Sequence, residues 1–306
     1  MSRKDEFRHL MDMTDPATET FVAHRTLLFT VAYELLGSAA DAEDVVQETW
    51  LKWTGVDLSA VRDQRAYLVT IATRQALGRL RVLGRRKETY FGPWLPEPLL
   101  TAPDVADDVE LADSLSTAML LVLETLTPTE RAVFVLREVF AFEYAEVAEA
   151  VGKSQAAVRQ IAHRAREHVA ARRPRGAPSQ QETRDAMAAF RQAIETGNPQ
   201  GLLDLLAPDV VLLADGGGKI QAMHRPLVGA EKMIRFYAGI LRSFGTVMTL
   251  EPTEANGCPA FLAYLDGVLD GLMSMRVEDG LITEVYYVRN PEKLSRLTEE
   301  TPLSTR

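Results

Sequence analysis

The chain has 306 residues, of which 46% are hydrophobic and 25% charged, and its formal net charge is −9. These values are ordinary for a soluble globular protein, and the length predicts two or three domains with their own cores. The single cysteine, Cys258, excludes an intramolecular disulfide. No apolar run approaches a membrane span and no signal peptide precedes the polar start, so we expect a cytoplasmic protein.

The first predicted domain, residues 1–87, contains two amphipathic helices. The first is predicted to begin with Asp41 as its N-cap. Its apolar positions share one face: Ala42, Val45, Val46, Thr49, Trp50 and Trp53. Its outer face is acidic and polar: Glu43, Asp44, Gln47 and Glu48. A protein-binding ridge and an ordinary solvated helix face both fit this pattern.

The second helix of this domain is predicted over Gln64–Arg81 and is basic on its outer face. Its outward residues, with those that follow, are Arg65, Arg74, Arg79, Arg81, Arg85 and Arg86. Residues 62–87 hold eight basic residues and one acidic residue, a net charge of +7, although the whole chain is acidic. Such a segregated basic segment favours contact with a polyanion. Tyr67 on this helix either stacks on a base or belongs to the core.

A proline-rich linker is predicted over residues 88–113. Its prolines exclude a continuous helix, yet it also contains large apolar side chains: Tyr90, Phe91, Trp94 and Leu95. A flexible tether would be polar and rich in glycine and serine. We therefore expect this linker to dock on another part of the molecule.

The next predicted domain, residues 114–173, contains a helix-turn-helix. Thr127, Pro128 and Glu130 form a helix-start signal with a capping box. Further on, Tyr144, Val147, Ala148 and Val151 mark one buried face, Gly152 supplies a turn and Ser154 caps a second helix, whose buried face is Val158, Ile161, Ala162 and Ala165. The exposed face of that second helix is basic and polar: Gln155, Arg159, Gln160, His163, Arg164 and Arg166. This is the layout of a helix that enters the DNA major groove, although a solvated basic face would share it.

A short linker over residues 174–180 leads to a third domain, residues 181–306. Two helices are predicted first, Thr183–Glu195 and Pro199–Leu206. Five strands follow, at Val210–Ala214, Thr246–Glu251, Phe261–Leu265, Val268–Val277 and Ile282–Val288, with a helix at Ala230–Leu241 among them. Helices before a curved antiparallel sheet predict an α+β cone with a central pocket.

These segments together resemble the extracytoplasmic-function sigma factors of bacterial RNA polymerase, in the group with a fused SnoaL-like C-terminal domain. DAEDVVQETWLKW (Asp41–Trp53) is similar to the segment that docks on the polymerase clamp. RAYLVTIATRQALGRLR (Arg65–Arg81) resembles the segment that melts and reads the minus-ten element. Residues Leu126–Val169 resemble the region that reads the minus-thirty-five element. WLPEP (Trp94–Pro98), DGGGK (Asp215–Lys219) and NPEKL (Asn290–Leu294) resemble motifs of the extended group.

The resemblance implies two all-α sigma domains, the second a helix-turn-helix, followed by an α+β SnoaL-like domain. It assigns four sets of residues. The polymerase-binding set is Asp41, Glu43, Asp44, Gln47 and Glu48. The minus-ten set is Arg65, Tyr67, Arg74, Gln75, Arg79, Arg81, Arg85 and Arg86. The recognition-helix set is Ser154, Gln155, Arg159, Gln160, His163, Arg164 and Arg166. The interdomain regulatory set is Trp94, Leu95, Pro96, Glu97, Pro98, Asp215, Gly216, Gly217, Gly218, Lys219, Asn290, Pro291, Glu292, Lys293 and Leu294.

Two function classes remain open from the sequence. The first is a sigma factor that binds core RNA polymerase and promoter DNA and is regulated in cis by its C-terminal domain; it would be no enzyme and would need no cofactor or metal. The second is a DNA-binding regulator with a ligand-sensing or catalytic cone. Candidate acid–base residues for the second class are Asp215, Lys219, His224, Asp266 and Arg276. The GGGK loop lacks the spacing of a phosphate-binding loop.

Overall fold

The computed structural model describes residues 15–102, 109–172, 180–220, 222–244, 248–297 and 300–305. It divides into two compact units. The helical unit takes its described residues from Met1–Leu83, Leu126–His168 and Leu303–Arg306, and the α+β unit from Gly84–Thr125 and Val169–Pro302. Within the described ranges, no helix is long and apolar enough to span a membrane.

The helical unit begins with a hairpin of two helices, α1 (Pro16–Leu36) and α2 (Ala39–Trp53). Between them Gly37 adopts a left-handed conformation with φ 64°, which ends α1 in a tight turn. Ser38 caps α2 by accepting the amide N–H of Asp41. The prediction that Asp41 is the N-cap is therefore wrong, because the serine three residues earlier fills that role. The predicted buried face of α2 is confirmed.

Helix α3 (Gln64–Glu88) follows a short 3₁₀ turn at Leu58–Ala60 and runs seven residues beyond the predicted end. The sequence prediction stopped it at Arg81, but the helix accommodates both Gly78 and Gly84, and no proline lies between Gln64 and Glu88. The helix thus ends at Glu88, the first residue of the predicted linker. Residues 103–108 of that linker lie outside the described part of the chain, as do residues 173–179 of the second linker.

The helix-turn-helix is confirmed. Helix α6 (Pro128–Phe134) has the predicted capping box between Thr127 and Glu130, and it continues through a wide turn at Val135–Val139. Helix α7 (Tyr144–Val151) ends at Gly152, whose φ of 65° allows the turn. Helix α8 (Gln155–Ala170) then begins, with the Ser154 hydroxyl accepting an amide N–H from its first turn.

The α+β unit contains a six-stranded sheet with helices on both sides. The helices are α4 (Val109–Leu115), α5 (Thr117–Glu124), α9 (Gln180–Glu195), α10 (Pro199–Leu205), α11 (Ala230–Phe244) and α12 (Pro291–Leu294). The strands are β1 (Leu206–Asp215), β2 (Leu227–Val228), β3 (Met248–Ala255), β4 (Cys258–Leu265), β5 (Val268–Glu278) and β6 (Leu281–Val288), in the order β2-β1-β6-β5-β4-β3. Residues 245–247 are not described, so the predicted start of a strand at Thr246 lies outside the structure.

The sheet is mixed, which corrects the expectation of a purely antiparallel sheet. Strands β3 to β6 form antiparallel neighbours through short turns, but β1 pairs with β6 in parallel, with Leu212 opposite Val285. Parallel neighbours require a long connection, and here the chain segment that joins the two strands contains β2 to β5. The helices-first α+β order of the prediction is confirmed.

The two faces of the sheet are covered by different parts of the chain. The inner face packs with α9, α10 and α11 around Phe190, Met233 and Met273. On the outer face, Leu95 packs with Tyr286 and Val288 of β6. The linker is therefore part of the core of the α+β unit, as its apolar composition indicated.

Candidate nucleic-acid interface and linker-binding site

The predicted DNA-reading face of α8 is exposed throughout. Seven residues assigned to it all lie at the surface: Ser154, Gln155, Arg159, Gln160, His163, Arg164 and Arg166. The Arg159 guanidinium lies 5.4 Å from the centre of the Tyr144 ring, and Arg166 forms an ion pair with Glu138 at 3.1 Å. A helix whose outer face presents long donors to solvent has the geometry that major-groove recognition requires.

Two arginines of the minus-ten set, Arg65 and Arg74, have partners inside the helical unit. The Arg65 guanidinium donates to the Thr305 carbonyl at 3.3 Å and lies 4.5 Å from the centre of the Phe142 ring. The Arg74 guanidinium donates to the Glu149 carbonyl at 2.7 Å. Arg65 is half-buried, so the expectation that it stays outside is wrong, because a turn before α7 packs against it.

Arg79 joins α3 to the predicted polymerase-binding ridge. Its guanidinium lies 2.9 Å from the Asp41 carboxylate, 3.1 Å from Asp44 and 2.8 Å from Glu48. Burial acts to lower the pKa of Arg79, but the three carboxylates raise it above its usual value. Gln47 is half-buried on the same side of α2. The acidic ridge and the basic helix were predicted as separate surfaces, and this ion-pair cluster connects them.

Further contacts extend this connection. Gln75 donates to Glu48 at 2.8 Å and accepts from the Lys52 ammonium at 2.9 Å. Glu43, the remaining acidic residue of the ridge, is paired with Arg25 of α1 at 2.7 Å. Most of the polar side chains that the sequence predicts to bind a partner molecule therefore already contact other residues of this chain.

The other members of the minus-ten set differ from these. Arg81 is exposed on α3. Tyr67 is half-buried, and its ring centre lies 6.1 Å from that of Trp53, so it packs at the edge of the core. The side chains of Arg85 and Arg86 lie outside the part of the structure that is described.

The three short motifs of the interdomain set meet around one buried carboxylate, Asp215. This residue ends β1 and is fully buried. One carboxylate oxygen accepts the Tyr90 hydroxyl at 2.6 Å and the Gly217 amide at 3.0 Å; the other accepts the Leu95 amide at 2.9 Å and the Lys293 ammonium at 2.8 Å. A buried carboxylate needs such compensation, because an unpaired charge in an apolar interior is costly.

Lys293 of α12 holds the linker from the other side. Its ammonium also donates to the Leu95 carbonyl and lies 4.3 Å from the Trp94 ring centre and 5.1 Å from that of Tyr90. Burial lowers the pKa of Lys293, and Asp215 opposes that shift. Burial also raises the pKa of the Tyr90 hydroxyl, and the hydrogen bond to Asp215 raises it further, so Tyr90 stays a donor.

Asn290 explains why the loop after β1 is rich in glycine. Its side-chain amide donates to the Tyr90 hydroxyl at 2.8 Å, and its oxygen caps α12 by accepting the Glu292 amide. Gly217 has φ 62°, and a Cβ placed there would lie 2.3 Å from the Asn290 side chain. Only glycine combines that conformation with that close approach. We call Tyr90, Leu95, Asp215, Asn290 and Lys293 the Asp215 cluster.

The remaining residues of the three motifs surround this cluster. Pro96, Glu97 and Pro98 are buried. Glu97 lies 3.8 Å from the Arg296 guanidinium. Lys219 is paired with Glu292 at the surface. The geometry thus brings together the WLPEP, DGGGK and NPEKL segments.

A second anchor for the linker was missed by the sequence analysis. Asn256, in the turn between β3 and β4, accepts the Leu99 amide at 2.7 Å and donates to the Leu115 carbonyl at 3.0 Å. The Thr101 hydroxyl accepts the Gly257 amide at 2.9 Å. Asn256 has φ 55° and precedes glycine, so the Asn-Gly pair was a hairpin signal in the sequence. Its two contacts with distant segments had no such signal.

The candidate acid–base residues do not assemble into a site. Asp215 is paired with Lys293 within its cluster. Lys219 pairs with Glu292, and Arg276 pairs with Glu278 and Glu284 on the outer face of the sheet. The His224 ring stacks edge-on with Phe91, and Asp266 lies in the β4–β5 turn with φ 50°. Among the described residues, no group of three or more His, Cys, Asp or Glu side chains is arranged to hold a metal ion.

Comparison with known proteins agrees with this geometry. Residues 20–86 match the family model for Sigma-70 region 2, and residues 116–169 match Sigma-70, region 4. ECF RNA polymerase sigma factor SigJ of Mycobacterium tuberculosis is 36% identical over 289 residues, which cover 90% of this chain and 92% of SigJ. The chain belongs to the extracytoplasmic-function sigma factors. It therefore directs promoter recognition and transcription initiation by RNA polymerase.

Two further comparisons cover nearly the whole sigma factor. Probable ECF RNA polymerase sigma factor SigI of Mycobacterium tuberculosis is 31% identical over 297 residues, 95% of this chain and 99% of SigI. The crystal structure of Mycobacterium tuberculosis SigJ superposes with a TM-score of 0.71 and 33% identity, covering 94% of this sigma factor and 99% of that chain. The similarity thus extends through the α+β domain as well as the two sigma regions.

The region 4 match includes α5, which lies in the α+β unit. The Thr117 hydroxyl is 3.3 Å from that of Ser274 in β5, and Ala118 and Leu121 pack against the Leu95–Tyr286–Val288 group. The first helix of region 4 in this sigma factor is thus held on the outer face of the sheet, beside the docked linker.

Proposed function

We propose that the C-terminal α+β domain regulates this sigma factor in cis by holding the linker between its two DNA-reading regions. The observation that carries the proposal is the burial of Asp215 among donors from the linker and from α12. A linker bound in this way has a fixed path, whereas a free one would leave the spacing of the two regions to chain flexibility. The same domain also holds α5 of region 4.

The individual site residues are part of this proposal. The exposed face of α8 reads the minus-thirty-five element, and α3 contributes to minus-ten recognition. The ridge of Asp41, Glu43, Asp44, Gln47 and Glu48 contacts core polymerase. The sigma factor acts where the polymerase is, in the cytoplasm. We expect the α+β domain to perform no reaction, because Asp215, Lys219 and Arg276 are each ion-paired with a different partner.

Fusion in one chain makes such regulation effective even with a weak contact. A tethered domain meets its target at an effective concentration on the order of millimolar. A signal that loosens the Asp215 cluster would then release the linker without any second protein. We expect release to raise basal transcription, because the two regions would gain freedom to reach both promoter elements.

The test is a pair of Tyr→Phe variants. Tyr90→Phe removes one donor to Asp215 while keeping the ring, and Tyr264→Phe is the control in the same domain, outside the cluster. Each variant would be assayed by transcription with core polymerase and by amide hydrogen exchange over residues 93–101. We expect Tyr90→Phe to speed exchange in that segment and to raise basal output, with Tyr264→Phe resembling the wild type.

Two results would contradict the proposal. Unchanged exchange in Tyr90→Phe would show that the cluster does not hold the linker. Faster exchange with unchanged output would show that holding the linker does not regulate transcription.

A further inference from the structure

The C-terminal tail, Leu303–Thr305, belongs to the helical unit, although the residues before it belong to the α+β unit. Leu303 is buried, with 9% of its surface exposed. The Ser304 amide donates to the Thr30 hydroxyl at 3.0 Å. Thr30 is fully buried in α1. The tail is therefore packed into the helical unit by an apolar side chain and a backbone hydrogen bond.

The tail also reaches a residue of the minus-ten set. The Thr305 carbonyl accepts from the Arg65 guanidinium at 3.3 Å, while the Phe142 ring covers the same guanidinium at 4.5 Å. Arg65 stands in the first turn of α3, where Asp63 caps the helix by accepting the Ala66 amide. Its charged donors are thus directed at a carbonyl and an aromatic face, the two kinds of partner that a nucleic acid would also offer.

We propose that the C-terminal tail is an autoinhibitory latch that competes with promoter DNA for Arg65. The inference rests on the proposed role of Arg65 in reading the minus-ten element. DNA binding at the start of α3 requires the Thr305 carbonyl to leave, and its departure would also break the packing of Leu303 and the hydrogen bond of the Ser304 amide. The latch is distinct from the Asp215 cluster, since it acts on region 2 and involves no linker residue.

A matched pair at Thr30 tests the latch without shortening the chain. Thr30→Val removes the hydroxyl that accepts the Ser304 amide, and Thr30→Ser keeps it. Holoenzyme made from each full-length variant would be titrated with a fork-junction fragment of a promoter that the wild-type holoenzyme transcribes. We expect Thr30→Val to bind about three- to tenfold more tightly than the wild type, the change that loss of one net hydrogen bond allows, and Thr30→Ser to match the wild type.

A second variant covers the case in which Thr30→Val perturbs α1. Deletion of Leu303–Arg306 should tighten binding by the same factor, and a synthetic peptide of residues 300–306 at millimolar concentration should reverse the gain. Wild-type affinity in both folded variants would overturn the latch.

Arg65→Ala separates failure of the latch from failure of the site on which it rests. If Arg65→Ala weakens binding in full-length and tail-deleted chains while Thr30→Val and the deletion have no effect, Arg65 reads DNA and the latch is wrong. If Arg65→Ala leaves binding unchanged in both chains, the proposed minus-ten role of Arg65 is wrong. The latch proposal, which depends on that role, is then wrong too.

Discussion

Helices α3 and α8 carry similar sets of basic residues predicted to contact DNA, but the two sets differ in exposure and in intramolecular partners. On α8, Arg159 and Arg164 project from an exposed face. On α3, Arg65 and Arg79 are half-buried and bonded to other parts of the helical unit. The comparison shows that a basic stripe in a sequence marks a possible interface, while burial and partners decide whether it is available. The region 4 surface is open, and much of the region 2 surface is occupied.

The difference has a physical origin in what packs beside each helix. Helix α3 lies against the acidic face of α2, so Arg79 meets three carboxylates within 2.8 to 3.1 Å. On the outer face of α8, Arg166 pairs with Glu138 at 3.1 Å, and His163 lies 3.6 Å from Glu167 of the same helix. Surface ion pairs with exposed partners contribute little stability, so α8 keeps its side chains available for DNA.

The largest expected effect is a loss of promoter affinity from a substitution on α8, with no change in stability. Arg159→Ala should weaken promoter affinity by about 1–3 kcal/mol and relax specificity at one position, because a bidentate contact to guanine would be lost. Its free energy of unfolding should match the wild type, since the side chain is exposed. The measurement is fluorescence titration with a panel of minus-thirty-five variants. A loss that is uniform across the panel would make Arg159 a phosphate contact.

The next effect should appear on α3 in the stability of the helical unit. Arg79→Met removes the shared partner of three carboxylates and should lower the free energy of unfolding by about 1–2 kcal/mol. Arg81→Met, on the same helix but exposed, is the control and should leave it unchanged. Denaturant unfolding of the full-length proteins measures both. Equal stability of the two variants would mean that the Arg79 cluster contributes nothing and that the contrast between the helices is wrong.

The smallest effect concerns the bond between α3 and α7. Arg74→Ala removes the hydrogen bond to the Glu149 carbonyl, and we expect a loss of about 0.5–1 kcal/mol, because the arginine is exposed and water can replace it. Arg74→Lys, which keeps a donor, should recover part of that loss in the same unfolding experiment. A loss as large as that of Arg79→Met would show that this contact is not peripheral.

The parts of this fold that depend on local sequence signals could be predicted. The buried faces of α2 and α8 follow the helical period, and the capping box at Thr127 fixes the start of α6. The docking of the linker was predictable from its apolar composition, because Trp94 and Leu95 are unfavourable in a solvated tether. Each of these signals lies within a few residues of the feature that it predicts.

The remainder depends on contacts between distant residues, which carry no periodic signal. Asp215 and Lys293 are 78 positions apart, and nothing in either neighbourhood specifies that they pair. The parallel β1–β6 pairing was missed because hairpin signals predict only antiparallel neighbours. The pairing of Arg79 with Glu48 was missed because helical periodicity assigns each residue to a face of its own helix and does not indicate which faces of two helices meet.

The internal regulation of this sigma factor is tested most directly by transcription with core polymerase at equal concentrations of three proteins. These are the full-length chain, a chain ending at Arg175, and Trp94→Ala. The centre of the Trp94 ring lies 3.3 Å from the Lys87 ammonium and 4.3 Å from the Lys293 ammonium. Loss of the ring should therefore loosen the linker. We expect Trp94→Ala to raise basal output. The truncated chain should also differ from full length but fall below Trp94→Ala, because it uncovers Leu121 of α5. Indistinguishable output from all three would contradict regulation in cis.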